Sequence, residues 1–166
     1  MGNLARNNVG SKGSVIYNLR GNGLDGNPTD VINLAPGFSA NKGGNWSQVT
    51  TGIINNFIID GVQGEDAGLY ANPTATISVS VPANDFSVHY LTIFSPTTRD
   101  NAAHNNAVTI TPAGSSTPAA TYTVNEPVTG LQNHIYQFEF IGNVTLTFQK
   151  FTTSPGDAEL QAVFLD

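Results

Sequence analysis

Within the polar stretch Thr97 to Asn106, the chain sets a guanidinium (Arg99), a carboxylate (Asp100), three amides (Asn101, Asn105, Asn106) and an imidazole (His104) close together. That mixture suits a ligand rich in hydroxyls. A hydroxyl both donates and accepts, so carboxylate and amide oxygens paired with guanidinium and amide N–H groups can orient it from loops on a rigid scaffold. An ordinary solvated loop reads the same way on composition alone. The complementary requirement is a flat ring that keeps some exposure, against which the C–H face of a cyclic ligand can pack. Trp46, in the Gly-rich segment NKGGNWSQ, and Tyr70, in GEDAGLYANP, are placed for this on expected loops. Tyr90 alternates with Leu91 and Ile93 on a candidate strand and is expected to face outward. The candidate ligand-binding set is therefore Trp46, Tyr70, Tyr90, Arg99, Asp100, His104 and Asn105.

Other chemistries find less material. Glycoside cleavage needs two carboxylates facing each other across a cleft, and the 12 acids include no paired motif on strand ends. Glu139 alternates outward with Gln137. None of the serines stands in a nucleophile setting, and with no cysteine both thiol chemistry and disulfides are excluded. His89, His104 and His134 lack the short spacing that places two metal ligands on one element. His89 shares strand parity with Leu91 and Ile93, so a core or rim position is expected. No catalytic residue and no cofactor is assigned.

A formal charge of -6 and an isoelectric point near 4.7, with three Lys and three Arg scattered singly, offer no basic footprint for nucleic acid. Apolar runs are far too short to cross a bilayer as a helix. Polarity comes instead from 19 Asn and 18 Thr beside 17 Gly and 9 Pro. Thr fits a pleated strand at little rotameric cost, while Asn, Gly and Pro supply turns that helices reject.

Alternation of period two then settles the fold class. In TATISVSV, Ile77, Val79 and Val81 alternate with Thr76, Ser78 and Ser80, giving one apolar and one hydroxylated face. AVTITP, IYQFEF and NVTLTF repeat the pattern, and Ser14–Leu19, Asp30–Ala35, Ile53–Asp60, Phe86–Phe94, Ala120–Val124 and Glu159–Leu165 are weaker matches. About ten strands joined by polar turns bury their apolar faces by stacking as two sheets. An all-β antiparallel sandwich of jelly-roll type is expected over residues 14–166, as a single domain. Residues 1–13 read as a loosely held or expression-derived leader. Gly142-Asn143, between the two strongest strands, has the length of a tight hairpin.

From Tyr70 onward the order of segments resembles the galactose-binding-like jelly rolls of bacterial secreted proteins. The matching positions are His89, Leu91 and Ile93 in one strand, Gly142 and Val144 at a late turn, and Leu160, Val163, Phe164, Leu165 and Asp166 at the end. That resemblance implies a non-catalytic carbohydrate-binding module, secreted or on a cell surface, linked to a catalytic or surface domain and directed at a polysaccharide or glycan. It also implies a structural calcium near the chain ends, for which Asp25, Asp30 and Asp166 are the available oxygen ligands. One fold hosts many functions, so two further readings stand beside it. The first is a structural or assembly sandwich of the adhesin, phage-appendage or surface-layer kind, and the second a small polysaccharide-cleaving enzyme.

Overall fold

The computed structural model describes residues 2–4, 10–19, 29–48, 57–59, 62–64, 69–96, 104–126, 133–151 and 158–166. Every regular element among them is a β-strand: β1 (Gly2–Leu4), β2 (Gly13–Leu19), β3 (Thr29–Leu34), β4 (Ser39–Gln48), β5 (Phe57–Ile59), β6 (Val62–Gly64), β7 (Leu69–Ser80), β8 (Val88–Pro96), β9 (His104–Pro112), β10 (Ala120–Glu126), β11 (Asn133–Ile141), β12 (Val144–Lys150), β13 (Ala158–Leu160) and β14 (Ala162–Leu165). Two antiparallel sheets form the expected jelly-roll sandwich. One has the order β11-β8-β14-β2-β3. The other runs β10-β9-β12-β7, with β4 along one edge of β7 and the short β13 continuing the β12 side. A small sheet, β1-β5-β6, pairs β1 with β5 in parallel.

Alternation explains which face of each strand turns inward. Leu146 lies between Ile77 and Ile110, and Phe148 between Ala75 and Val108, so the apolar residues noted in sequence meet side by side. Opposite them stand Val15, Leu91, Ile93, Phe138 and Val163 of the other sheet, all buried in the same core. Burial of this apolar surface is the main stabilising term. In the β11-β8-β14-β2-β3 sheet the centre of the outer face is buried as well, at Ile16, Phe94, Ala162 and Phe164.

The open sides of the sandwich are bridged by side chains. Tyr17 Oη donates to the Ala40 carbonyl at 3.2 Å and Lys42 Nζ lies 2.7 Å from Asp30 Oδ2, tying β2 and β3 to β4. On the far side Tyr122 Oη donates to the Gln137 carbonyl at 3.1 Å, and its ring packs on Tyr136 and Phe138.

Several expectations are corrected. Gly142-Asn143 is not a hairpin: β11 pairs with β8 and β12 with β7 and β9, so the pair is a corner between sheets. Asn143 holds that corner, its Oδ1 accepting from Val81 N–H at 3.0 Å and its carbonyl from Ala113 N–H at 2.8 Å. Glu159–Leu165 is not one strand. It changes sheet at Gln161, whose N–H bonds the Phe94 carbonyl at 3.0 Å. The segment expected to be a loop around Lys42 is the edge strand β4, whose apolar contribution to the core is Ala40 and Trp46. Within residues 1–13, Ser11 N–H donates to Asp166 Oδ1 at 2.6 Å and Lys12 N–H to the Leu165 carbonyl at 2.8 Å.

Candidate functional site

Four of the seven candidate residues come to one end of the β7 sheet, and all four are on strands rather than loops. Tyr70 is the second residue of β7, between Ser47 of β4 and Glu159 of β13. Trp46 stands opposite Ala71 after an irregularity in β4 between Gly44 and Trp46. Asn105 follows His104 at the start of β9, and its carbonyl accepts Phe151 N–H at 3.1 Å. Backbone pairing sets His104 opposite Glu126. Arg99 and Asp100 lie outside the described residues. Tyr90 is 41% exposed as expected, but on the other sheet and at the opposite end, where its N–H bonds the Asp166 carbonyl at 3.1 Å. It is not part of the same site.

Trp46 is half-buried with its N–H committed, donating Nε1 to the Thr76 carbonyl at 2.9 Å. Its ring meets Phe148 edge-on at 5.2 Å. The indole is thus fixed before any ligand arrives. Register puts Trp46 on the core-facing side of β4 and Tyr70 on the outer side of β7, so the two rings flank a sheet corner rather than form one platform.

Tyr70 and Asn105 instead share the outer face of this sheet, and that face is where sequence reasoning looked too little. Thr121, Thr109, Thr147 and Thr76 stand abreast across β10, β9, β12 and β7. Thr111, Thr145, Ser78 and Asn41 form a second row, and Thr123, Ala107, Gln149 and Thr74 a third. Thr109 and Thr121 share a hydrogen bond of 2.9 Å between their hydroxyls. Among the described residues of this sheet, the one charged side chain with this parity is Glu159 of β13, opposite Tyr70, and it is buried. The alternating Thr of TATISVSV, AVTITP and NVTLTF was the signal.

Asp85, Asp30 and Asp166 are tied into structure. Asp85 Oδ1 accepts from Ser87 N–H at 2.9 Å, and Oδ2 lies 3.2 Å from His89 Nε2, close enough for an ion pair but not aligned as a hydrogen bond. Hydrogen bonds from Ser87 and then the nearby imidazole hold this carboxyl below its ordinary range, opposite to the shift a general acid needs. His89 is buried as its parity implied, between Phe38 and Phe140, with Nδ1 3.1 Å from the Asp166 carbonyl. The acids proposed for calcium do not fit one ion. Asp30 pairs with Lys42 at the start of β3, while Asp166 meets Ser11 beyond the end of β3, a strand's length away at ~3.3 Å per residue. Asp25 lies outside the described residues, and among those described no group of three His, Cys, Asp or Glu could hold a metal.

No family model matches the chain, and no curated protein matches it. Among solved structures, the two-sheet fold is similar to a family 35 carbohydrate binding module from Clostridium thermocellum, at 12% identity and TM-score 0.43, covering 76% of this chain and 90% of that one. It is also similar to the isomalto-dextranase of Arthrobacter globiformis complexed with panose, at 9% identity and TM-score 0.48; the match covers 80% of this chain and 24% of the enzyme's. A module of the Cellvibrio mixtus lichenase in complex with cellotriose matches at 7% identity and TM-score 0.37, covering 79% of this chain and 87% of the module. These likenesses are of fold. A function for this chain has to come from its own residues.

Proposed function

We propose that this chain is a non-catalytic carbohydrate-binding module, which holds a larger secreted enzyme or surface protein on a polysaccharide or glycan. One observation carries the reading: Tyr70 and Asn105 share the outer face of this sheet at the end where His104 begins β9, with a preset Trp46 on the opposite, core-facing side of the same end. A ring, amides and hydroxyls held on rigid strands supply apolar contact and two-way hydrogen bonding without a reacting group. Affinity for one sugar is modest in such a site. Tethering to a second domain multiplies it.

Affinity gels cast with plant, algal and bacterial polysaccharides test this. Retardation by at least one is expected, weakened about tenfold in Tyr70→Ala. No retardation on any of them contradicts the proposal, and turnover in a reducing-sugar assay would replace it with an enzyme.

The assembly reading also has an observation in its favour. Phe86 is 80% exposed, and Val88 and Ile141 form an exposed apolar pair beside Tyr90 on the β8 and β11 surface. Size-exclusion at several concentrations separates the two, since self-association without any glycan response selects assembly.

A further inference from the structure

The outer face of the β10-β9-β12-β7-β4 sheet combines two features: its rows carry regularly spaced polar groups, and the one charged side chain described with its parity, Glu159 of the adjoining β13, is buried. We infer that the ligand is a neutral polysaccharide, laid across the Thr rows of this face rather than gripped as a charged sugar at a loop. The inference rests on the carbohydrate-binding reading and gives it a place and a substrate class.

Charge decides the class. The chain has 18 Asp, Glu, Lys and Arg residues from the 12 and 6 of its composition, yet among those described only Glu159 of β13, opposite Tyr70, takes the outer parity of this sheet, and it is buried. Lys42 of β4 takes the inward parity, opposite Ile77, and spends its charge on Asp30. A polyuronate would lose hydration along its length and meet no cation in return. A neutral polymer has no such penalty.

Spacing decides the place. Neighbouring strands lie ~4.8 Å apart, so the row Thr121, Thr109, Thr147, Thr76 carries four hydroxyls over ~14 Å, with further rows above and below. Thr side chains on a strand have little rotameric freedom left to lose when a ligand docks. The Thr109 to Thr121 hydrogen bond already orients one end of the row. Each hydroxyl contact only replaces one made with water, so any single one contributes little. Useful binding therefore needs many in register, which an extended polymer provides and a monosaccharide does not. Gln149 and Asn41 add amides to the rows, and Tyr70 and Asn105 stand at one end as an apolar stop and a further amide.

The test uses the full chain in affinity gels of xylan, mannan, galactan and soluble cellulose derivatives on one side and polygalacturonate and alginate on the other. Thr147→Lys places a charge in the central row, Thr121→Lys does so on the edge strand, and Thr147→Val removes one hydroxyl while keeping shape. Circular dichroism and melting confirm folding, and Thr121→Lys serves if the central variant does not fold. Retardation by a neutral polysaccharide and by neither polyuronate is expected, growing with oligosaccharide length in competition. The charged variants should lose about tenfold or more in affinity and Thr147→Val less. Preference for a polyuronate, or retention untouched by the charged variants, overturns this inference and leaves the carbohydrate reading intact. Absence of retention on every gel overturns both.

Discussion

Tyr17 is fully buried, its hydroxyl donating to Ala40, and burial first and the Asp30 charge second push its pKa far above the ordinary tyrosine value. Because the folded pKa is raised, the stabilising contribution is complete below the unfolded value of ~10 and is lost as pH rises beyond it. In a spectrophotometric alkaline titration Tyr17 should ionise last and together with unfolding, and Tyr17→Phe should cost roughly 0.5–1.5 kcal/mol at neutral pH while flattening the alkaline decline. Asp85 has the opposite sign: its pKa is lowered by Ser87, so its contribution is present above the ordinary carboxylate range and lost as pH falls. Asp85→Asn should therefore flatten the acid limb of a stability profile measured by urea titration. At this scale strand parity was a good guide. It made His89 buried and Tyr90 exposed, because both follow from a neighbouring pattern of Leu91 and Ile93. The partner of the Trp46 indole is Thr76, thirty residues away, and no local pattern could reveal it.

Strands with strong alternation were legible because the period itself is the physical cause of burial. Those without it were not. β4 runs through Lys42, Gly43, Gly44 and Asn45, and as an edge strand it is held by backbone bonds to β7 rather than by an apolar stripe. The Gly142-Asn143 connection misled for another reason: two residues suit a hairpin, but the apolar faces of β11 and β12 belong to opposite sheets and face each other across the core. Two glycines measure how tightly elements meet. Gly13 has φ +109, and a Cβ there would lie 1.9 Å from the Asn33 carbonyl oxygen, so Gly13→Ala should cost roughly 3 kcal/mol or more, read from the denaturation midpoint. Gly142 has φ +68 with open space around its Cβ position, and Gly142→Ala should cost only the left-handed penalty of about 1–2 kcal/mol.

Across the whole molecule the two sheets share one core but present different outer faces. Centrally buried residues and exposed Phe86, Val88 and Ile141 mark one, while uncharged hydroxyl rows cover the other. The jelly-roll class and the hydroxylated face were both legible in Thr alternation. Which strands lie side by side was not, since cross-strand rows depend on pairings between distant segments. Edge bridges matter little by comparison: Lys42→Ala, with a partly exposed partner, should shift stability by about 1 kcal/mol or less in the same denaturation assay. The most direct measurement is an NMR titration of the intact chain with neutral oligosaccharides of increasing length, following the methyl signals of Thr76, Thr109 and Thr147 and the ring of Tyr70. Those signals should move together, more strongly with longer sugars, while Val88 and Ile141 stay still. No movement of any of them with any sugar would contradict the account.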